Sequence, residues 1–258
     1  MVNDNMLDLN KINLGDCLEL MKDIDDKSID MILCDLPYGT TACKWDAIIP
    51  FEPLWEQYNR IIKDNGAIVL FGSQPFTSAL IMSNPKMFKC EWIWNKEVGG
   101  NFVQAKRHPM KIHENILVFG KNTVKYNPQM TEADVKNNRK LKLDNKVNTT
   151  PITGGELKYS KDRDNTKRYP VSIQKYHGKA KECNNVNRIH PTQKPVELFE
   201  YLIKTYSNEG DTILDNCIGS GTTGIASINT NRNWIGIEMD ENYFKLANER
   251  INNHKINS

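Results

Sequence analysis

Four consecutive residues, Asp35-Leu36-Pro37-Tyr38, directly follow the apolar run Ile29 to Cys34. The run reads as a strand, so the tetrapeptide falls at its carboxyl end, where open α/β sheets bind ligands. Pro37 fixes its own φ and pushes Leu36 towards extended geometry, which holds the Asp35 carboxylate and the Leu36 carbonyl as two acceptors beside the Tyr38 ring. Two acceptors and a π face suit an exocyclic amino group on a flat base. Taken alone, the same residues also make an ordinary strand-ending turn, so the rest of the chain must decide.

A second chemical pattern lies late, at Asp215-Asn216-Cys217-Ile218-Gly219-Ser220-Gly221-Thr222-Thr223. Gly219 and Gly221 let the backbone turn tightly and approach a ligand, and the helix that follows offers free amide groups. Glu238 closes the next strand 19 positions after Gly219, the spacing of an acceptor for ribose hydroxyls. Gly224 follows Gly221 by three, so a dinucleotide fingerprint is formally allowed. Hydride transfer, however, leaves Asp35 to Tyr38 without a role. A nucleoside cofactor that delivers a group to an amino nitrogen gives both patterns a purpose.

Alternating β-rich runs and helical patterns position these residues. Ile12 to Leu14 leads into Gly15-Asp16-Cys17 and a short amphipathic turn; Ile29 to Cys34 is the next strand. Leu54, Trp55, Tyr58, Ile61 and Ile62 predict a helix over 53–63, stopped by Asn65-Gly66, before a buried strand over 67–71. Gln74 to Met82 reads as a helix opened by Pro75, and Cys90 to Trp94 with Asn115 to Phe119 as two strands joined by a long polar loop. After residue 188 the pattern resumes with a helix over 195–206, a strand over 212–214, a helix over 222–228, a strand over 234–237 and a final helix over 243–251. Such alternation implies a mostly parallel sheet with helices on both faces.

Composition narrows the class. With 258 residues, 39% hydrophobic and 9% aromatic, the chain can bury a full core. No apolar stretch approaches the roughly 18 residues of a membrane span, and the first residues lack a signal-peptide core, so a cytoplasmic protein is expected. Six cysteines occur without a C-x-x-C pair, which argues against a zinc site or a disulfide framework. The net charge of +2 hides an uneven distribution, because residues 121–188 hold 16 Lys or Arg against 7 Asp or Glu. A basic segment in a mildly acidic body suggests a polyanionic partner.

Together these motifs closely resemble the amino-directed DNA methyltransferases that use S-adenosylmethionine, in their β-group order. That order is a catalytic tetrapeptide early, a target-recognition region in the middle and the glycine loop late. Further matches are Gly15-Asp16-Cys17, Trp94-Asn95-Lys96, His113-Glu114-Asn115-Ile116-Leu117 and His190-Pro191-Thr192-Gln193-Lys194-Pro195. The resemblance covers residues 10–120 and 188–251. It implies a Rossmann-like class I methyltransferase fold, α/β with a mostly parallel seven-stranded sheet and a circularly permuted motif order. The catalytic half is then 1–120, an inserted basic recognition region 121–188 and the cofactor-binding half 189–258.

The resemblance also implies roles. Asp35, Leu36, Pro37 and Tyr38 are catalytic. The glycine loop holds the cofactor through Gly219, Gly221 and Thr222, with Asp215, Cys217 and Cys17 beside it; Glu238 takes the ribose, Asp16 the adenine amino group, and Thr192 with Lys194 the methionine end. Candidate DNA contacts are Lys96, Lys106 and Arg107, with Arg139, Lys140, Arg163, Lys167 and Arg168 of the insertion. Double-stranded DNA is the expected partner, a homodimer is possible in such a family, and a sulfonium methyl needs no metal. His113 and His190 are read as structural. Leu36 replaces the family's first proline and Cys217 its phenylalanine. Asp at position 35 favours the N6 of adenine, since serine is more frequent in the N4-cytosine enzymes. An RNA or protein-amide methyltransferase, or an inactive DNA-binding module, are the more distant readings.

Overall fold

The computed structural model describes residues 7–40, 46–100, 102–132, 166–177, 189 and 193–257. It comprises two compact units: Met1–Asn127 with Ser172–Ser258, and Pro128–Val171. In chain order the elements are β1 (Lys11–Leu14), α1 (Cys17–Leu20), β2 (Ile29–Cys34), α2 (Phe51–Ile61), β3 (Ile62–Gly72), α3 (Phe76–Ser83), β4 (Phe88–Gly100), β5 (Lys111–Phe119), β6 (Thr131–Glu132), β7 (Lys167–Arg168), β8 (Ile173–Lys175), α4 (Val196–Tyr206), β9 (Thr212–Asp215), α5 (Thr222–Asn229), β10 (Asn233–Glu238) and α6 (Glu241–Asn257). In the second unit, β6 and β7 pair antiparallel.

The large sheet of the first unit has the strand order β1-β10-β9-β2-β3-β5-β4-β8. The pairs from β1 to β3 are parallel, β5 is antiparallel to both β3 and β4, and β8 adds in parallel to β4. Among the described residues the sheet therefore has eight strands rather than the seven expected. The extra strand is three residues long, too short for a periodicity to announce, and it comes from within 121–188. Lys121–Asn127 and Ser172–Lys175 thus belong to the first unit.

Alternate side chains of the central strands go to opposite faces, as the two-residue period of a strand demands. On one face Met31, Leu33, Val69 and Phe71 pack under Phe199, Leu202 and Ile203 of α4 and under Ile225 of α5. On the other, Ile32, Cys34, Ile68 and Leu70 pack under Leu54, Trp55, Tyr58 and Ile61 of α2 and under Leu80 of α3. Helix α4 buries Leu198, Phe199, Leu202, Ile203 and Tyr206, spaced for a single apolar stripe, after Pro195 sets an extended entry.

One boundary differs from the sequence reading. Strand β3 begins at Ile62, immediately after α2, and Asn65-Gly66 lies inside it. The register passes from Ile29↔Ile62 to Met31↔Ala67, so the dipeptide forms a bulge instead of a stop. A Cβ on Gly66 would sit 2.8 Å from the Asp30 carbonyl oxygen, so only glycine fits there.

After β2 the chain moves outward to β3, and after β9 it moves the opposite way to β10. The carboxyl ends of β2 and β9, paired through Met31↔Ile213 and Ile32↔Leu214, therefore flank a topological switch point. A ligand crevice is expected there.

Candidate active site

A cavity of about 320 Å³ opens at this switch point. Asp35, Leu36, Pro37 and Tyr38 from the end of β2 line it, opposite Asp215, Cys217, Gly219 and Thr222 from the end of β9. Asp16, Cys17, Lys194 and Glu238 complete its wall.

The tetrapeptide is held by an acidic residue that sequence reading missed. Asp46 Oδ1 accepts the backbone N–H of Tyr38 at 2.8 Å and of Gly39 at 3.0 Å, and Oδ2 accepts that of Thr40 at 2.9 Å. A buried carboxylate satisfying three consecutive amides fixes the turn. Leu36 sends its side chain into the core under α2 and α3, which explains why an apolar residue serves in place of proline. The Tyr38 ring stacks on Phe76 at 5.1 Å, and its hydroxyl donates to Asp35 Oδ1 at 2.6 Å.

Asp35 Oδ2 accepts from the Lys194 ammonium at 2.5 Å, and the two side chains are only 17% and 7% exposed. Lys194 is shared with Glu114 at 3.3 Å, and Glu114 in turn pairs with Lys96 at 3.0 Å. The result is a buried row of alternating charge, Asp35, Lys194, Glu114, Lys96. Burial pushes Asp35 up, opposed by the Lys194 ammonium. Burial alone would lower Lys194, but the two carboxylates lift it above the ordinary lysine range. Glu114 would rise on burial, yet Lys194 and Lys96 hold it below its usual value. Lys194 thus favours the ionised form of the Asp35 carboxylate against the effect of burial. Lys194 also lies 5.3 Å over the Phe71 ring.

The glycine loop is held by carboxylates at both ends. Glu238 Oε2 accepts the Gly219 N–H and Oε1 the Asp240 N–H, each at 2.9 Å, and burial raises its carboxyl. Each oxygen keeps a lone pair for a hydroxyl donor. Asp215 Oδ1 accepts the Cys217 N–H at 3.1 Å, Oδ2 accepts the Thr223 hydroxyl, and burial pushes this carboxyl up to about 7. Gly219 and Gly221 adopt left-handed φ values of 52° and 79°. Asp16 caps α1 by accepting the N–H of Leu18 at 2.8 Å and of Glu19 at 3.2 Å. Cys217 forms a thiol contact with Cys17, and Cys34, pushed up to about 12 by burial, lies beside it. Thiols raised in this way act as packing groups, not nucleophiles.

Comparison with known proteins bears on this geometry. The profile of a DNA methylase family, covering N6 and N4 enzymes, matches residues 29–249. The chain belongs to this DNA methylase family. It is 30% identical to the Type II methyltransferase M1.MboII of Moraxella bovis, over 98% of this chain and all of that protein. It is also 30% identical to the DNA adenine methyltransferase YhdJ of Escherichia coli K12, over 92% of this chain and 81% of the relative. Among solved structures, the M1.HpyAVI–SAM complex superposes with a TM-score of 0.64, at 24% identity, covering 94% of this chain and 98% of that one. The PvuII cytosine-N4-specific methyltransferase gives 0.63 at 15% identity, over 96% and 92%. These two likenesses support the class I methyltransferase fold.

The structure brings Asp16, Cys17, Asp35 to Tyr38, Lys194, Asp215, Cys217, Gly219, Thr222 and Glu238 together at the cavity and leaves other expected residues apart from it. Lys194, assigned to the methionine end, has its ammonium on Asp35 and Glu114. Lys96, assigned to DNA phosphates, is instead tied inside the protein to Glu114. Lys106 and Arg107 are exposed beyond the end of β4, and Lys167 and Arg168 are exposed in β7. Thr192, Arg139, Lys140 and Arg163 lie outside the described residues. Among the described residues no helix is long and apolar enough to cross a membrane.

Proposed function

We propose that the protein is a site-specific DNA methyltransferase that carries a methyl group from S-adenosylmethionine to the N6 amino group of adenine in duplex DNA. The observation that carries this reading is the meeting of the Asp35 to Tyr38 turn with the glycine loop and Glu238 in one cavity. The cavity fits the cofactor chemically. Its wall carries the carboxylates of Asp16, Asp35, Asp46, Asp215 and Glu238 against one ammonium, Lys194, which suits a ligand that is itself a cation. Glu238 has acceptor capacity for ribose hydroxyls, and Asp16 for an adenine amino group. Bound S-adenosylmethionine supplies an already activated methyl on a sulfonium sulfur.

The chain's own residues do the rest. Asp35 and the Leu36 carbonyl accept the two N–H bonds of the target amino group, whose lone pair is otherwise delocalised into the ring. They draw it towards tetrahedral geometry and stabilise the positive charge that builds on the nitrogen as the methyl arrives. Asp46 and Pro37 fix both acceptors before substrate enters, and Lys194 favours the ionised form of Asp35. Tyr38, braced by Phe76, offers a stacking surface worth roughly 1 to 3 kcal/mol. The target base must leave the helix to reach these groups. Adenine is favoured over N4 of cytosine by Asp at position 35 and by the 30% identity to a relative named as an adenine methyltransferase. The basic central segment supports a DNA substrate, and relatives named Type II methyltransferases support recognition of a defined sequence.

The test is transfer of labelled methyl from S-adenosylmethionine to plasmid DNA, followed by nucleoside analysis. N6-methyladenine is expected; N4-methylcytosine transfers the assignment to the other amino group, and label on RNA or protein with none on DNA overturns it. Asp35→Ala is expected to abolish transfer while retaining cofactor binding.

A further inference from the structure

Strands β4 and β5 continue past the end of β3 as a hairpin. Gly72, the last residue of β3, pairs with Asn115, whereas β5 begins at Lys111 opposite Gly100. Four further residues of β5 therefore run beyond the end of β3, about 13 Å of strand. Lys111 ties this extension to the carboxyl end of β3 through the Ser73 hydroxyl. Its base holds Glu114 and Lys96, so the hairpin rises from the carboxyl edge of the sheet, one ion pair removed from Lys194 and Asp35.

The outer end of this hairpin has an unusual composition. A single 3-10 turn, Phe102–Gln104, presents Phe102 and Val103 side by side, 76% and 82% exposed. The turn is closed by its own backbone: Ala105 N–H bonds the Phe102 carbonyl at 3.1 Å, and the N–H groups of Arg107 and His108 both bond the Gln104 carbonyl, at 2.8 and 3.0 Å. Lys106, Arg107 and His108 follow at once, all exposed. Scattered exposed apolar residues mean little, but an adjacent pair held forward on a cationic turn is a shape with a use.

Cations beside a small apolar wedge match one surface closely, a nucleic-acid base step with its neighbouring phosphates. Proteins that unstack DNA insert Phe, Leu, Ile, Met or similar side chains between bases. We propose that the 102–108 turn enters the duplex beside the target nucleotide, with Phe102 and Val103 filling the space that the extruded base leaves and Lys106 and Arg107 on the neighbouring phosphates. This rests on the reading of the protein as a DNA methyltransferase. The wedge offsets the stacking lost on extrusion, so its contribution disappears where the base is already unpaired.

The experiment compares the protein with the double variant Phe102→Ser, Val103→Ser on two oligonucleotide duplexes. Both carry the methylated sequence, mapped first on plasmid DNA by modification-sensitive sequencing; in one the target base is paired, in the other mispaired. The variant is expected to lose about 10- to 100-fold in kcat/KM on the paired duplex, and to come within about threefold of the unsubstituted protein on the mispaired one. Both positions are exposed, so an unchanged unfolding midpoint accompanies that result. No loss on paired DNA, or the same loss on both duplexes, overturns the wedge. A fall in sedimenting mass with equal loss on both assigns the turn to a contact between copies and overturns it also. Each of these leaves the methyltransferase reading standing, whereas no methylated DNA from the unsubstituted protein removes both.

Discussion

Lys194→Met removes an ammonium and keeps much of the side chain's bulk. In the native protein that ammonium lies 2.5 Å from Asp35 and 3.3 Å from Glu114 in a nearly closed interior. Removing one partner of a buried ion pair costs about 3 to 5 kcal/mol, because the remaining charge stays buried without compensation. Here Asp35 is left without a cation, while Glu114 keeps Lys96. That loss is a large fraction of the roughly 5 to 15 kcal/mol that holds a typical domain together, so the denaturant midpoint should fall clearly. The loss also depends on pH in a defined sense. Without Lys194, folded Asp35 titrates further above its unfolded value, so the protonated form is the one that folding favours. The deficit is smallest at acid pH and grows as pH rises through the raised folded value. If Asp35 acts in its ionised form, as proposed, the acid limb of kcat should move to higher pH. Urea unfolding at two pH values and methyl transfer across the neutral range measure both. An unchanged midpoint together with an unmoved acid limb would show that Lys194 is not the counter-ion of Asp35.

Asp46→Ala leaves the amides of Tyr38, Gly39 and Thr40 without their acceptor, at about 1 to 3 kcal/mol for each that stays buried; kcat should drop by about 100-fold through misplacement of the turn, with cofactor affinity, read by calorimetry, changed far less. Gly221→Ala forces a φ of 79° on a residue with a Cβ and sets that atom 2.9 Å from Ile251 Cδ1; the strained conformation alone costs about 1 to 2 kcal/mol, and equilibrium dialysis should find weaker cofactor binding. Burial raises Asp215 to about 7, so the stability lent by its protonated form is present below its unfolded value and is lost as pH rises through about 7. Asp215→Asn should therefore flatten the fall in unfolding free energy over that window, by up to about 4 kcal/mol.

Much of the central sheet could be read from the residues because its strands are fully buried. Ile29–Cys34, Thr212–Asp215 and Asn233–Glu238 are short apolar runs, each followed by a residue that a ligand site needs. The tetrapeptide and the glycine loop were likewise visible as local patterns, and their meeting follows from where the chain reverses direction across the sheet. What stayed hidden depends on distance in sequence. Asp46 bonds the Tyr38 amide from eight residues further along the chain, with no local signal of its own. Glu114 looked like one polar residue at the start of an apolar strand, and only its position between Lys194 and Lys96 gives it a role. Lys96 was read as a surface cation for the same reason. Strand β8 is three residues long and gains its identity from the edge of β4.

Where the second unit leaves and rejoins the first has a consequence for how such a protein changes over time. On the outgoing side, Asn127 is fastened to the end of α4, its N–H on the Thr205 carbonyl at 2.7 Å and its side chain on the Ser207 carbonyl at 3.1 Å. On the returning side, Ile173–Lys175 locks into the β4 register and the Tyr176 carbonyl accepts the Trp94 indole N–H at 2.8 Å. Both posts are made largely of backbone groups, which any sequence supplies. Between them lie the 44 residues Pro128–Val171, and exchanging those residues leaves the backbone groups that anchor both ends in place.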